Sequence, residues 1–372
     1  MVADVLTDRA LSRATLERQL LLGRARAGVV DAVARVVGLQ AQAPQAPYVG
    51  LWSRLERFTP EQLGDRLLDR SLVRIVLMRA RVHLVSADDC LGLRPLVQPV
   101  LDAELARHRD HGPALAGIDL GPVVDHARTL LETTPLTSGE LGAALAGRFG
   151  EAAPAALAYA CRNHLALVQV PPRGLWRRSG PARTTTAESW IGRTQDRDAS
   201  IDELVLRYLG AFGPATPADI GAWSRLTGFR EVVDRLRPKL RTFRDERGRE
   251  LVDLPHALRP DPDTTAPVRF LPRYDNVLLS HADRRRFVDD ADRRRLAAVA
   301  RSSGGSVLAD GRLVGVWTTE RDEDGEACTL VVDHLARVRR RTRAAIEQEG
   351  AALLTFTDHD RPERDVRLVP LT

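Results

Sequence analysis

The pattern of apolar and polar positions divides the first two thirds of the chain into helical stretches that alternate with short β-like stretches. Three helices are predicted in the first third, at residues 15–24, 29–37 and 59–70. Residues 73–78 and 81–85 then alternate as the two strands of a hairpin do, with Arg79 and Ala80 at the bend. Helices followed by a two-stranded hairpin, or wing, are the plan of a winged helix-turn-helix unit.

Two later segments repeat this plan. Thr137 and Thr216 each stand at a predicted helix N-cap, the first with Glu140 three residues on and the second with Pro217 at the first helical position. Each start predicts a helix, a turn and a second helix, and the second helices cover residues 154–165 and 229–240. A hairpin follows each copy, opening at residues 166–170 in one and turning at residues 245–248 in the other. The sequence therefore predicts three winged-helix units.

The pattern changes to strands beyond the proline-rich stretch 254–267. Strands are predicted at residues 268–271, 307–309, 313–317, 329–332 and 353–356, with a helix at residues 335–349. Asp310 and Gly311 form a hairpin turn between two of the strands. We therefore expect an α+β fold of tandem winged helix-turn-helix units with a β-rich C-terminal part. The expected boundaries are residues 1–115, 116–198 and 199–257 for the three units and 258–372 for the C-terminal part.

Composition restricts the chemistry. The chain has 372 residues and a formal charge of +5, but Lys239 is its single lysine. An Ala- and Arg-rich, lysine-poor composition is typical of a high-GC bacterium, so the arginines alone are not evidence for nucleic-acid binding. Lys239 follows Arg237 and Pro238, which excludes a nucleotide-binding P-loop. The GxSxG, HExxH and GxGxxG motifs of common hydrolases, metalloproteases and dinucleotide-binding enzymes are absent from the sequence.

The cysteines and the apolar segments of the sequence indicate the cellular compartment. Cys90, Cys161 and Cys328 lie far apart without a CxxC pair, which predicts neither a disulfide scaffold nor a cysteine-based zinc site. No apolar run approaches the ~18 residues of a membrane-spanning helix. Asp4 and Asp8 interrupt the N-terminal stretch where a secretory signal would be apolar. We expect a cytoplasmic protein that contacts no membrane.

The most unusual local run is Gly-Leu-Gln-Ala-Gln-Ala-Pro-Gln-Ala-Pro at residues 38–47. Gln40 and Gln42 stand two residues apart where the second predicted helix ends. The pair either decorates a helix end or points into one space once the helix unwinds. Spacing favours the first interpretation, whereas the small residues around the pair would let a ligand come close.

Three stretches in order carry a resemblance to a known family. They are Gly38-Leu39-Gln40-Ala41-Gln42, residues 73–85 around Met78-Arg79 and His83-Leu84-Val85, and Phe-Leu-Pro-Arg-Tyr-Asp-Asn-Val-Leu-Leu at residues 270–279. Along essentially the whole chain the sequence resembles the bacterial winged-helix DNA glycosylases of the AlkZ type, which include the azinomycin self-resistance enzyme and the YcaQ-type enzymes. The resemblance implies tandem winged helices around a DNA-binding cleft. It also implies that Gln40 and Gln42 are catalytic, because that family uses a Gln-x-Gln or Gln-x-Asp motif.

The activity implied by the resemblance is monofunctional excision of N7-alkylated purines from double-stranded DNA, including unhooking of interstrand crosslinks, without a cofactor or metal. The Gln-x-Gln form resembles the subgroup that protects producers of DNA-alkylating natural products. Gln42 stands where the broader YcaQ-type pattern has an acidic residue, which puts a mechanism with a carboxylate general base in doubt. A lyase would need an amine nucleophile, and Lys239 beside Pro238 is a poor candidate, so the expected product is an intact strand with an abasic site.

Candidate DNA contacts are Arg79 at the first wing, Arg162 and Asn163 on the second recognition helix, and Arg312 beside the predicted hairpin tip. Each of these arginines is alternatively an ordinary solvated side chain. His83 is either a packed residue or a neighbour of the active site. Tyr274, Asp275 and Asn276 either brace the cleft or touch DNA.

Other charged and metal-binding residue types favour plain structural roles. The arginine triplets 284–286 and 293–295 lie among aspartates, which predicts a solvated helix with internal ion pairs. The less balanced run 339–343 is a further candidate for phosphate contact. His108 and His111 lack the additional ligands that a metal site needs, so none is predicted.

Two other functions remain open because a fold does not determine a function. A non-enzymatic winged-helix regulator would bind DNA without needing the glutamine pair. An alkylation-damage sensor would bind the lesion without releasing a base. The sequence shows no sustained heptad pattern, so we expect a monomer.

Overall fold

The computed structural model describes residues 4–150, 152–196, 198–300 and 304–371, which form an α+β fold with three β-sheets. The α-helices of these residues are α1 (Asp8–Arg18), α2 (Val29–Arg35), α3 (Ala46–Arg54), α4 (Pro60–Leu68), α5 (Ala87–Leu96), α6 (Gln98–Arg107), α7 (His111–Ala114), α8 (Leu120–Thr133), α9 (Ser138–Ala146), α10 (Pro154–His164), α11 (Ala187–Ile191), α12 (Ile201–Phe212), α13 (Pro217–Ser224), α14 (Phe229–Leu236), α15 (Asp290–Val299) and α16 (Arg340–Thr357). Short 3₁₀ helices cover Met78–Ala80, Arg237–Lys239 and Asn276–Leu278.

The strands of the described residues are β1 (Val5–Leu6), β2 (Leu39–Gln40), β3 (Leu72–Val76), β4 (Val82–Ser86), β5 (Leu167–Gln169), β6 (Thr184–Thr186), β7 (Arg241–Asp245), β8 (Glu250–Asp253), β9 (Arg269–Pro272), β10 (Gly305–Ala309), β11 (Arg312–Arg321), β12 (Ala327–Leu335) and β13 (Glu363–Leu371).

The helix starts predicted from capping residues are present in the structure. The Thr137 hydroxyl accepts a hydrogen bond from the backbone N–H of Glu140 at 3.2 Å, and the Glu140 carboxylate accepts from the Thr137 N–H at 2.9 Å. Thr216 and Asp219 exchange the same two bonds at the start of α13. Such reciprocal bonds satisfy backbone donors that have no partner within the helix, which is why this spacing marks a helix start.

The hairpins of the first and second predicted units belong to one five-stranded sheet, in the order β2-β4-β3-β5-β6. Strand β3 is buried along its whole length and therefore takes a partner on each side, β4 from the first unit and β5 from the second. The sequence predicted two separate wings. The shared sheet makes β2, which carries Gln40, an edge strand.

The third unit has the predicted wing, formed by β7 and β8. Strand β1 pairs in parallel with β7, with Val5 opposite Arg244, so the N-terminal strand extends this wing to three strands. The aromatic rings of Tyr208, Phe212 and Trp223 fill the core beneath, with centroids of neighbouring rings 5.2–6.0 Å apart.

The C-terminal sheet has the order β13-β12-β11-β10-β9 and packs against α16. The strand predicted at residues 353–356 is wrong, because these residues form the last turns of α16. The buried positions Ile346, Gly350 and Leu353 follow helical spacing and face the sheet. A short apolar run cannot be assigned to strand or helix by periodicity alone. The predicted helix start at residue 335 is also wrong, since Leu335 ends β12.

The arginine triplet 284–286 does not lie in a solvated helix, which corrects the prediction; only residues 290–299 are helical there. Arg286 is buried and donates hydrogen bonds to the Thr15 hydroxyl and the Pro214 carbonyl. The Asp310-Gly311 turn is present as predicted, but Ser12 and Arg13 of α1 bind its carbonyl groups. None of the described helices combines the length and apolar character needed to cross a membrane.

Candidate functional site

The Gln-Ala-Gln segment is held along its backbone by three other parts of the chain. Gly38 before it adopts φ +83°, and a Cβ there would lie 2.7 Å from Val85, so glycine is required. The Asn276 side chain donates to the Gly38 carbonyl at 3.1 Å. The Ala41 N–H donates to Val82 at 2.7 Å, and the buried Arg74 donates to the Ala41 carbonyl at 2.9 Å. The two glutamines are therefore presented from a fixed backbone.

Arg79 connects the first glutamine to two distant segments. Its guanidinium donates to the Gln40 Oε1 at 2.9 Å, to the Asn276 Oδ1 at 2.7 Å and to the Trp223 carbonyl at 2.6 Å. Burial lowers the pKa of Arg79 to about 10, and nearby arginines add to this. Arg79 itself adopts φ +57° within the bend of the β3–β4 hairpin. The sequence predicted Arg79 as a DNA contact, whereas three of its five N–H donors bind acceptors within the protein.

His83 lies opposite Gln40 in the β2–β4 pairing and is fully buried. Burial lowers the pKa of His83 to about 3, and the Arg79 charge adds to this. The Nδ1 atom is 2.9 Å from the Arg81 carbonyl, whereas Nε2 is 3.5 Å from Arg79. The imidazole is therefore neutral, with Nδ1–H as a donor, and it cannot serve as a general acid near neutral pH.

Gln42 differs from Gln40 in exposure. Gln40 is 7% exposed, and Gln42 is exposed. The Gln42 Oε1 accepts a hydrogen bond from the Val82 N–H at 3.3 Å, which leaves its second lone pair and its amide N–H₂ group free for a ligand. Gln40 thus provides a buried amide that Arg79 holds in place, and Gln42 provides an amide that a ligand can reach.

Both glutamines line one cavity of about 580 Å³, together with four arginines: Arg79, Arg81, Arg225 and Arg284. None of the described residues lining this cavity is an acid or a lysine. A neighbouring cavity of about 540 Å³, whose lining also includes Glu104, shares Arg79, Arg81 and Arg225 with it, so the two cavities adjoin. The cavity that holds the glutamines, lined by arginines without carboxylates, fits the phosphate backbone of a nucleic acid.

Asp275 and Asn276 brace the site. The Asp275 carboxylate forms a bidentate ion pair with Arg54 at 2.8 Å, and both side chains are completely buried. Asn276 is buried between Arg79 and Gly38. Tyr274 instead is 40% exposed and lines the cavity. Of the alternatives left by the sequence, bracing therefore fits Asp275 and Asn276, and Tyr274 is placed where a ligand can reach it.

The remaining predicted contacts lie away from the glutamine pair. Asn163 is fully buried, and its side chain donates to the Tyr159 carbonyl at 2.8 Å, so it is not presented to a ligand. Arg162 is partly buried and lines a separate cavity with Tyr159 and His111. Arg312 donates to the Arg285 carbonyl at 2.5 Å, next to a hairpin turn that packs on α1. The DNA contact predicted for Arg312 stays a prediction, at a side chain that is 39% exposed.

Arg81, Arg225 and Arg284 were missed as lining residues by the sequence reasoning. No local pattern distinguishes them in an arginine-rich chain, because the cavity walls come from segments about 200 residues apart in sequence. Arg225 follows α13 in a left-handed conformation at φ +70°, an unusual backbone that only the structure shows.

The three cysteines are buried and form no disulfide with one another. Burial raises the pKa of Cys90 and Cys161 to about 12 and that of Cys328 to about 11, which keeps these thiols protonated. Among the residues with described positions, no three His, Cys, Asp or Glu side chains converge in a way that could hold a metal ion.

Comparison with known proteins agrees with the geometry. The family model described as DNA glycosylase AlkZ-like matches residues 33–356. An interstrand DNA cross-link repair glycosylase of Streptomyces sahachiroi is 25% identical over 369 residues, covering 90% of this chain and 92% of that protein. The solved structure of Streptomyces sahachiroi DNA glycosylase AlkZ superposes with a TM-score of 0.80 at 21% identity, over 98% of this chain and all of that one. The fold is thus the tandem winged-helix fold expected, and the chain belongs to the AlkZ-like DNA glycosylase family.

Proposed function

We propose that this protein is a monofunctional DNA glycosylase that excises N7-alkylated purines, unhooks interstrand crosslinks and so protects its host against a DNA-alkylating natural product. The observation that carries the proposal is a pair of neutral amides, Gln40 and Gln42, in an arginine-lined cavity whose described lining contains no acid and no lysine. The protein would act in the cytoplasm, on the DNA of its own cell.

The chemistry suits a cationic leaving group. A guanine alkylated at N7 already carries positive charge, so the bond from C1′ to N9 breaks with its electron pair going to the base, without prior protonation. The oxygen of a water molecule then bonds to C1′ and its proton passes to solvent. The neutral His83 is not needed as an acid. The task of the protein is to hold the water close to C1′ as the base departs.

The two glutamines divide this task in the way their surroundings suggest. Gln42 is exposed and has a free lone pair and N–H₂ group, so it positions the water. Gln40 is fixed by Arg79, so its N–H₂ group orients the water or contacts the sugar-phosphate. Arg81, Arg225 and Arg284 hold the backbone phosphates on either side.

Crosslink unhooking is supported by the two adjoining arginine-lined cavities and by the name of the Streptomyces sahachiroi relative, an interstrand DNA cross-link repair glycosylase. A base that is tethered to both strands cannot be rotated freely into a closed pocket. The cavity that holds the glutamines instead adjoins a second arginine-lined cavity, and such an open surface suits a bulky adduct that stays in the DNA groove. The self-resistance role rests on the Gln-x-Gln form of the motif.

Lyase activity is not part of the proposal, because a Schiff base requires an amine nucleophile. Lys239 is exposed at the end of the 3₁₀ helix after α14 and is not among the residues that line the cavity. The product is therefore an intact strand with an abasic site. We also propose that the protein is a monomer, because the sequence shows no sustained heptad pattern, and light scattering on a sizing column measures this.

The test is incubation of the purified protein with a duplex that carries one N7-methylguanine, followed by alkaline cleavage. The parallel reactions contain the Gln40→Ala and Gln42→Ala variants, and Gln348→Ala on the exposed face of α16 is the matched control. We expect alkali-labile sites from wild type and Gln348→Ala, and a large loss in the two motif variants. A crosslinked duplex, run in the same way, defines the substrate range.

Two outcomes would overturn the glycosylase activity itself, and a third would overturn its monofunctional character. Tight DNA binding without base release, unchanged in Gln42→Ala, would indicate a winged-helix regulator. Affinity that rises with the lesion, again without release, would indicate a damage sensor. Strand breaks before alkali treatment would contradict the monofunctional assignment.

A further inference from the structure

A further cavity, of about 190 Å³, adjoins the cavity that holds the glutamines on the side of Tyr274, and its lining is mostly apolar. The two cavities share Tyr274, Leu279 and Arg284. The other walls of this side chamber are mostly apolar and are formed by Leu278, Val288, Leu296, Ala297, Leu313 and Val316. An arginine-lined cavity thus opens beside a small apolar one, with an aromatic ring at the boundary.

Two of the three charged groups in the lining, Asp275 and Arg293, are paired with other side chains, and the third, Arg284, lies at the boundary with the arginine-lined cavity. The Asp275 carboxylate is bound by Arg54, and Arg293 at the edge is paired with Asp290 at 3.0 Å. The chamber therefore offers an apolar surface to a ligand and no free carboxylate from its described lining. Its volume is far too small for a helix or strand of another protein, so its occupant must be a small group.

Tyr274 stands at the boundary in a conformation that its neighbours impose. Its φ is +65°, which is rare for an aromatic residue. The turn is held because the Asp275 N–H donates to the Pro272 carbonyl at 3.2 Å and the Asp275 side chain is locked to Arg54. The Arg273 guanidinium packs on the ring at 4.6 Å. Backbone strain that surrounding contacts maintain is commonly found at ligand sites.

We propose that this side chamber binds an apolar substituent carried by the alkylated purine, and that the substrate class is purines bearing bulky apolar alkyl groups. The inference rests on the proposed function and deepens it. With the purine before Gln40 and Gln42, a substituent directed past Tyr274 leaves water for an apolar enclosure. The free energy of that transfer favours bulky adducts over a methyl group.

The test compares duplexes that contain N7-methylguanine or N7-benzylguanine. Ala297 is exposed on α15 and lines the chamber, so Ala297→Phe fills the chamber without disturbing the core. Ala298 is the next residue, equally exposed and absent from the chamber lining, which makes Ala298→Phe the matched control. Both the dissociation constant of each duplex and the kcat/KM for base release are measured.

We expect wild type to prefer the benzyl adduct. Ala297→Phe should lower the benzyl-to-methyl ratio of kcat/KM by about tenfold and raise the same ratio of dissociation constants by about tenfold, which is the discrimination typical of a small apolar pocket. Ala298→Phe should keep the wild-type ratio. An unchanged ratio in Ala297→Phe, or the same change in both variants, would overturn the side-chamber assignment. If wild type releases neither base, the proposed glycosylase function fails, and the ratio of dissociation constants still decides whether the chamber binds the benzyl group.

Discussion

Replacing Arg79 by methionine tests whether this arginine acts through Gln40. Methionine has a similar length and no donors, so the Gln40 Oε1, the Asn276 Oδ1 and the Trp223 carbonyl all lose their partner. We expect the single-turnover release of N7-methylguanine to fall about 100-fold, since misplacement of a positioning group by about 1 Å costs that much.

The effect on stability follows from the same contacts. Hydrogen bonds to a charged group contribute about 1.5–3 kcal/mol each, so three contribute about 4.5–9 kcal/mol. The burial that lowers the Arg79 pKa to about 10 offsets about 3 kcal/mol of this. The variant should therefore lose about 2–6 kcal/mol of unfolding free energy, measured by urea denaturation.

A double-mutant cycle separates a positioning role from a direct DNA contact. If Arg79 acts through Gln40, the double variant Arg79→Met/Gln40→Ala should be no slower than Gln40→Ala alone within a few-fold. Arg79→Lys should restore little of the rate, because an ammonium cannot reach all three acceptors. Rate losses that multiply in the double variant, or a salt dependence of binding reduced by about one phosphate contact, would refute this reasoning.

Three other predictions follow from the same geometry. Asp275→Asn should lower the unfolding free energy by about 3–5 kcal/mol, because it leaves Arg54 buried without a counter-charge. The control Asp263→Asn, at a side chain that is 96% exposed, should change the unfolding free energy by less than about 0.5 kcal/mol. Equal effects of the two substitutions would contradict the bracing role of Asp275. Arg225→Ala and Arg284→Ala should each reduce the slope of log affinity against log salt by about 1, and an unchanged slope would remove them from the DNA surface. Burial lowers the pKa of His83 to about 3, so below about pH 6.5 the unfolded chain binds a proton that the folded chain does not, and the unfolding free energy should fall as the pH drops from about 6.5 towards 3. His83→Gln should reduce this slope by up to about 1.4 kcal/mol per pH unit, measured by urea denaturation at several pH values. An unchanged slope in His83→Gln would assign the pH dependence to another group.

The features predicted well from sequence are those fixed by neighbours in the chain. The caps at Thr137 and Thr216 and the hairpin bend at Arg79 depend on residues within a few positions of each other. The sheet shared by β3 and β5 could not be predicted in this way, because it depends on burial of both edges of β3. The short apolar run at residues 353–356 was misassigned since only packing against the C-terminal sheet makes it helical.

The candidate site divides in the same way. The motif and the resemblance directed attention to Gln40 and Gln42, which do share a cavity. The inward role of Arg79 and the burial of Asn163 were not accessible, because both follow from contacts with distant segments. Arginine is so frequent in this chain that the residue type alone does not distinguish a buried structural arginine from an exposed one.

The contacts around Gln40 also impose an order on biosynthesis. The glutamine motif emerges early from the ribosome. The two partners of Arg79, Trp223 and Asn276, follow 144 and 197 residues after Arg79 itself. At about 5–20 residues per second, translation reaches them on the order of ten seconds later. The pairing of β1 with β7 and of Arg54 with Asp275 spans still longer stretches of chain and so forms later after synthesis of the first partner. A nascent chain therefore carries the complete motif well before it has the groups that hold Gln40 and Arg79 in place, and the candidate site is assembled only when the second half of the protein folds against the first.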